Sequence, residues 1–249
     1  MPNEIFSDRT ALVTGGARGI GRSICQMLAS HGARVAVNYE RNEQAAQETL
    51  SLIKGAGADA MVVQADVSDE QQVGRMMAAI RDQLGPIDLL VNNAGIATST
   101  PHDALPFADW KRMFEVNMDG PFLTTWAVKD QMIERQYGRI VNISSLAGIK
   151  IKSRMISYAT TKAALISFTR HCAEAFAPYD VRVNCVAPGL TNTDLARSAN
   201  PDMVEQLIAI TPMGRIGEPE EIADVVKFLL SDDSSFVTGQ TIPACGGRC

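Results

Sequence analysis

The chain has no excess of basic residues: its 23 Lys and Arg stand against 28 Asp and Glu, a formal net charge of −5. A nucleic-acid binder needs a basic stripe to replace counterions on phosphates, so the balance disfavours that class and favours a protein partner or a small substrate. Long hydrophobic runs are also missing, and without some 18 uninterrupted apolar residues no membrane-spanning helix is expected. The opening MPNEIFSDRT lacks both the basic start and the apolar stretch of a secretory signal. Cysteine is scarce: Cys25, Cys172, Cys185, Cys245 and Cys249 are odd in number and mostly far apart, a poor disulfide framework that suits a reducing compartment. Cys245 and Cys249 have no His or further Cys near them in sequence, so no metal site is expected. These absences point to a cytoplasmic protein. No Pro/Gly/Ser-rich linker or charge block interrupts the chain, so residues 1–249 are expected to form one domain.

What is present is a composition able to bury a large core, 46% hydrophobic and 20% charged. Short β-branched runs (TALVT, RVAVNY, AMVVQAD, IDLLVNN, RIVNISS, VRVNCVAP) predict six strands. Between them, apolar residues recur every three or four positions over Gly19–Ser30, Asn42–Lys54, Asp69–Leu84, Phe107–Arg135 and Tyr158–Ala177, predicting helices. After strand six come a polar stretch from Thr191 to Ser198, shorter helical segments around Met203 and over Glu220–Ser231, and a last short strand near Gln240–Ile242. Strands separated by helices require a parallel sheet with right-handed crossovers, and strands apolar along almost their whole length require helices on both faces. The predicted fold is a doubly wound α/β sheet of Rossmann type, with its ligand beyond the carboxyl ends of the strands.

The first strand ends in Thr14-Gly15-Gly16-Ala17-Arg18-Gly19-Ile20-Gly21 and leads into a helix. Glycines there permit a tight turn and a close approach of backbone N–H groups to a pyrophosphate at the helix N-terminus. A glycine pattern alone is weak, but this one follows a strand and opens a βαβ unit.

Together with Asn92-Asn93-Ala94-Gly95, Tyr158-Ala159-Thr160-Thr161-Lys162 and Pro188-Gly189, these eight residues resemble the short-chain dehydrogenase/reductase family, from about Arg9 to Gly247. The resemblance implies a nicotinamide-dependent oxidoreductase with Asn117, Ser145, Tyr158 and Lys162 as its catalytic set. Tyr158 would exchange a proton with the substrate oxygen and Ser145 would hold that oxygen. Lys162 would also reach the nicotinamide ribose, and Asn117 would support a proton path through water to Lys162. Tyr158 and Lys162 lie four apart, on one face of a helix, where an ammonium is expected to lower the tyrosine pKa from its ordinary value of about 10. Ser144 is the rival for Ser145.

For the cofactor, the resemblance implies contacts from Gly15, Arg18, Gly19, Ile20 and Gly21 in the first turn, from Asp66 and Val67 at the adenine, and from Asn92, Asn93, Ala94 and Gly95 along the cleft. Tyr158, Pro188 and Gly189 are further implied contacts, Lys162 would reach the nicotinamide ribose, and Thr191 would meet the carboxamide side of the nicotinamide. Asp66 has a structural alternative as a helix cap, a task that Ser68 or Asp69 fits better. The family's usual acidic residue at the end of strand two falls at Tyr39. Arg41, with Arg18, forms a candidate fork for a 2′-phosphate, while Glu40 opposes it, so NADP(H) is favoured over NAD(H).

The segment from Met213-Gly214-Arg215 to Phe228-Leu229, with Thr238-Gly239-Gln240, looks most like 3-oxoacyl-[acyl-carrier-protein] reductases, implying a β-keto thioester. Two departures stand against it. The arginines that dock the carrier protein fall at Gln136 and Tyr179, although Arg135 and Arg139 lie beside the first, and the acidic residue before the C-terminal Gly-Gly pair is absent from Ala244-Cys245-Gly246-Gly247. Lys150, Lys152 and Arg154 either attract an anionic substrate tail or are solvated loop charge. The competing readings are a dehydrogenase of secondary, sugar or alicyclic alcohols and a nucleotide-sensing protein without turnover. The resemblance further implies a homotetramer assembled through the long helices flanking strand five and the C-terminal strand region.

Overall fold

The computed structural model describes residues 4–151, 153–197 and 200–248. Lys152, Ser198 and Cys249, all named above, lie outside the described residues. The chain alternates strand and helix: β1 (Thr10–Val13), α1 (Gly19–Ser30), β2 (Arg34–Tyr39), α2 (Glu43–Gly55), β3 (Ala60–Gln64), α3 (Glu70–Leu84) and β4 (Leu89–Asn92). Helices α4 (Phe107–Phe114) and α5 (Gly120–Glu134) precede β5 (Gly138–Ile143), α6 (Ile156–Phe176) and β6 (Val181–Pro188). The last part holds α7 (Asp194–Arg197), α8 (Pro201–Ala209), α9 (Pro219–Leu230) and β7 (Thr241–Ala244). The seven strands form one parallel sheet in the order β3-β2-β1-β4-β5-β6-β7, so the order reverses between β1 and β4.

The period of two along each strand divides the core between the faces. Ala11, Val13, Val35, Val37, Leu89 and Val91 pack on one side with Ile24 and Leu28 of α1 and Val226 and Leu229 of α9. Leu12, Ala36 and Leu90 pack on the other with Met76 and Ile80 of α3, Val128 and Met132 of α5 and Phe176 of α6. Asn42 caps α2 through the Ala45 N–H at 2.9 Å, and Asp69 caps α3 through the Gln72 N–H at 2.9 Å. The helix-capping task therefore falls to Asp69 and not to Asp66.

One predicted helix is corrected. The periodic segment Phe107–Arg135 is interrupted by a π-helical turn, Glu115–Asp119, in which the Gly120 N–H reaches back five residues to the Glu115 carbonyl. Pro121 supplies the reason: it has no N–H to give to the Asn117 carbonyl, so the ordinary four-residue ladder fails there. The turn carries Asn117, which is fully buried.

Candidate active site

At the reversal point the ends of β1 and β4 are tied together. The Thr14 hydroxyl accepts the Asn93 and Ala94 N–H groups at 3.0 Å each, and Asn93 Nδ2 donates to the carbonyls of Thr14 at 2.9 Å and Gly15 at 3.1 Å. Above this junction lies a cleft of about 490 Å³. Of the expected cofactor residues, Gly15, Arg18, Gly19, Ile20, Gly21, Tyr39, Arg41, Asp66, Val67, Asn93, Ala94 and Gly95 all line it. No side chain among the described residues caps α1, so its first N–H groups face the cleft in the manner of an anion site.

Gly21 makes the turn possible. A Cβ there would stand 2.3 Å from the Gly15 carbonyl oxygen and 2.6 Å from Asn93 Nδ2, forcing α1 away from the loop. Gly21→Ala is expected to cost about 1–3 kcal/mol of stability through overpacking and to weaken nucleotide binding by more than about tenfold. Titration of nucleotide against the variant, beside a urea melt, checks both effects.

At the outer end of the cleft the charges are paired. Arg41 donates to Glu40 at 3.0 Å, and Arg18 lies 3.4 Å from Asp194. Asp66 accepts from the Ser68 N–H at 2.9 Å, the Ser68 hydroxyl at 2.6 Å and Arg112 Nη2 at 2.9 Å. Burial works against its charged form, but the bonds from Ser68 and the Arg112 guanidinium outweigh it and hold its pKa below the usual carboxylate range.

At the inner end, four elements bring the expected catalytic residues together. Asn117 Oδ1 accepts the Ile96 N–H at 2.9 Å, and its Nδ2 donates to the Ile96 carbonyl at 2.9 Å and Thr161 Oγ1 at 3.1 Å. A Cβ built on Gly95 would touch both Asn117 Oδ1, at 3.1 Å, and Lys162 Nζ, at 3.5 Å, so these two groups lie behind Gly95, which itself lines the cleft. Ser145 begins a 3-10 turn, Leu146–Gly148, its Oγ accepting the Ala147 N–H at 3.1 Å. That turn rests on the backbone of α6 at Lys162, where a side chain on Gly148 would come within 2.7 Å. Ser144 is settled elsewhere: it is buried and donates to the Lys162 carbonyl at 2.8 Å.

The expected tyrosine pKa shift has the opposite sign. Burial raises the Tyr158 pKa, and a hydrogen bond with Ser145 only partly offsets it. Lys162 Nζ, 5.8 Å from the Tyr158 ring centre, donates to the Ile143 carbonyl at 2.8 Å. With only 4% of its surface exposed, Lys162 is lowered by burial to a pKa of about 8. Four-residue spacing places both side chains on one face without deciding where the ammonium turns.

Beyond β6, Gly189 packs on Cys245, and the Thr191 hydroxyl is buried and turned toward the Gly189 carbonyl at 3.3 Å. Neither residue, nor Pro188, Tyr158 or Lys162, is part of the cleft lining, and Asn92 is buried with its Nδ2 on Asn142 Oδ1 at 2.9 Å; Thr193 and Asp194 do line the cleft. The sequence reading also misses Asn38, Asn42, Ile96 and Val116 in the cleft wall and Thr161 and Arg112 behind it. Asn38, a polar residue within an apolar strand, is the one that carried a signal; its Oδ1 accepts the Gly15 N–H at 3.2 Å.

Known proteins share this fold and much of this sequence. The short chain dehydrogenase family model matches residues 9–204. A 3-oxoacyl-[acyl-carrier-protein] reductase of Synechocystis is 38% identical over 240 residues, 96% of this chain and 96% of that protein. A crystal structure of a 3-oxoacyl-[acyl-carrier protein] reductase with bound NAD, from Brucella melitensis, superposes with a TM-score of 0.91 at 38% identity, covering 99% of this chain and 93% of the other. That of an NAD+-bound xylitol dehydrogenase gives 0.92 at 35% identity, with 97% and 99% covered. With strand order, glycine turn and the Ser145, Tyr158 and Lys162 cluster in one frame, and with relatives matched along nearly its whole length, the chain belongs to the short-chain dehydrogenase/reductase family, oxidoreductases acting on CH–OH and C=O groups.

Proposed function

We propose that this oxidoreductase reduces the ketone of 3-oxoacyl thioesters with NADPH. The observation that carries the substrate is the end-to-end likeness to the Synechocystis 3-oxoacyl-[acyl-carrier-protein] reductase. The cleft fits a dinucleotide: the uncapped α1 N-terminus and the turn around Gly15, Arg18, Gly19, Ile20 and Gly21 suit a pyrophosphate. Asp66 and Val67 suit the adenine, and Asn93, Ala94 and Gly95 the length between. Tyr158 and Lys162 would meet the nicotinamide ribose, with Pro188, Gly189 and Thr191 on its carboxamide side. Arg41 supports the choice of NADP(H) over NAD(H), because Tyr39 stands where an acid would bind a ribose 2′-hydroxyl.

When bound, the reduced nicotinamide supplies the hydride. Tyr158 donates its hydroxyl proton to the carbonyl oxygen, and a raised pKa keeps that proton in place at neutral pH. Ser145 donates a hydrogen bond to the same oxygen. Lys162 places a cation beside the developing phenolate, and Asn117 holds the Ile96 backbone and Thr161 in place around it. Lys150 and Arg154, both exposed, offer cations to an anionic substrate tail. Phe122 and Trp126, stacked at 4.3 Å on α5 and partly exposed, support a homotetramer built through α5, α6 and the β7 region.

A second reading, oxidation of a secondary or sugar alcohol, is favoured by the far end of the sheet. Gln136 and Tyr179 replace the docking arginines. Arg135 is bonded to Asp88 and the Ile87 carbonyl, while Arg139 is buried against Asp180, so neither offers a free cation to an acidic carrier. The test follows nucleotide absorbance with acetoacetyl-CoA, run with NADPH and NADH at matched concentrations. Faster loss with NADPH is expected. No loss with either nucleotide, when both bind, overturns the thioester reading, and reduction of NAD+ by xylitol would then support the second.

A further inference from the structure

We propose that Arg112, which stands on α4 outside the cleft wall, sets the preference between the two nicotinamide nucleotides by neutralising Glu40. The inference rests on the proposed use of this cleft for a nicotinamide dinucleotide and concerns a residue that the resemblance did not assign.

Arg112 is the junction of a charge network at the outer end of the cleft. Its Nη2 lies 2.9 Å from Asp66 Oδ2 and 3.7 Å from Glu40 Oε1, and its Nη1 donates to the Ser68 hydroxyl at 2.8 Å and lies 3.5 Å from Glu115 Oε2. Glu40 Oε1 also receives Arg41, at 3.0 Å. Two cations thus converge on one carboxylate oxygen, from β2's own continuation and from α4.

Glu40 and Arg41 both line the cleft, next to Tyr39 at the end of β2. An unneutralised carboxylate there repels a 2′-phosphate and accepts a hydrogen bond from a 2′-hydroxyl, so the charge left on Glu40 discriminates between the nucleotides. If Arg41 alone had to neutralise Glu40, its charge would be spent on the carboxylate. With Arg112 sharing that carboxylate, Arg41 keeps charge to offer a phosphate. Arg112 is held in reach by Asp66 and Ser68, which belong to the adenine end, so the device is anchored by a part of the site that both nucleotides share. It acts through Glu40 and is a positioning residue.

The test is the ratio of the NADPH and NADH dissociation constants, measured by fluorescence titration in the wild type and variants. Arg112→Gln is expected to shift that ratio about threefold toward NADH, the size of a partly solvated charge pair. Any loosening of Asp66 weakens both nucleotides alike and cancels in the ratio. Arg112→Lys should keep most of the preference. Glu40→Gln should shift the ratio toward NADPH, and adding Arg112→Gln to it should change the ratio no further. An unchanged ratio in Arg112→Gln, or the same shift in the Glu40→Gln background, overturns the proposal. If Arg112→Gln does not fold, an unchanged ratio in Glu40→Gln alone overturns it. A wild type that itself prefers NADH overturns the NADPH reading but not this inference, which concerns the direction of the change.

Discussion

Replacing Tyr158 by phenylalanine is expected to lower turnover by about three orders of magnitude, within the range that a positioned general acid supplies. The ring stays and the half-buried site keeps its shape, so nucleotide titration should give an affinity changed by only a few-fold. The prediction is specific because Tyr158 is protonated at working pH: burial raises its pKa, and the proton it donates is carried in on the hydroxyl. Turnover close to normal in the variant would mean that another group, or water, protonates the substrate oxygen.

Lys162→Met should also damage turnover, while raising stability at neutral pH. In the unfolded chain the lysine keeps its ordinary pKa of 10.5, whereas in the folded protein burial lowers it to about 8. Below pH 8 both states are protonated and the folded state bears the full desolvation penalty. Between pH 8 and 10.5 the unfolded chain binds the extra proton, so the penalty is relieved as pH rises. A depression of this size corresponds to about 3 kcal/mol. Methionine removes that cost but leaves the Ile143 carbonyl without its 2.8 Å donor, a loss of about 1–2 kcal/mol. The variant should therefore be more stable than wild type at pH 7, by about 1–2 kcal/mol in urea. Its advantage should shrink above pH 8. A destabilised variant at pH 7 would contradict the burial account. The same comparison in turnover should show at least a hundredfold loss, about the lower bound for removal of an acid/base partner.

The parts of this molecule that were legible in its sequence are those governed by local rules. Strands largely apolar along their length, separated by amphipathic segments, call for burial in a parallel sheet, and β1 to β6 follow. The Gly15 to Gly21 turn was legible because close backbone approach leaves glycine little substitute. Features set by contacts between distant elements were not. Arg112 sits in an ordinary amphipathic helix, and only folding brings it to Glu40 and Asp66, 72 and 46 positions away in sequence. Tyr158 and Lys162 were correctly placed on one face, but the sign of the tyrosine shift depends on burial and on the Ile143 carbonyl, which no spacing encodes. The π-helical turn left a trace in Pro121, a residue that cannot serve the helical ladder four positions on from Asn117, within a segment whose periodicity otherwise reads as unbroken.

That turn also fixes a phase. A helix advances about 100° per residue, and a five-residue loop closes over one more residue than the regular ladder does. The faces of α4 and α5 are therefore offset by one residue's rotation, with Arg112 before the joint and the Phe122 and Trp126 stack after it. Deleting a single residue from Glu115–Asp119 would turn one of those faces off its target. The length of this five-residue stretch is thus a gauge that keeps the nucleotide end and the aromatic surface in register, and, Asn117 apart, chains of this architecture should tolerate substitutions there far better than insertions or deletions.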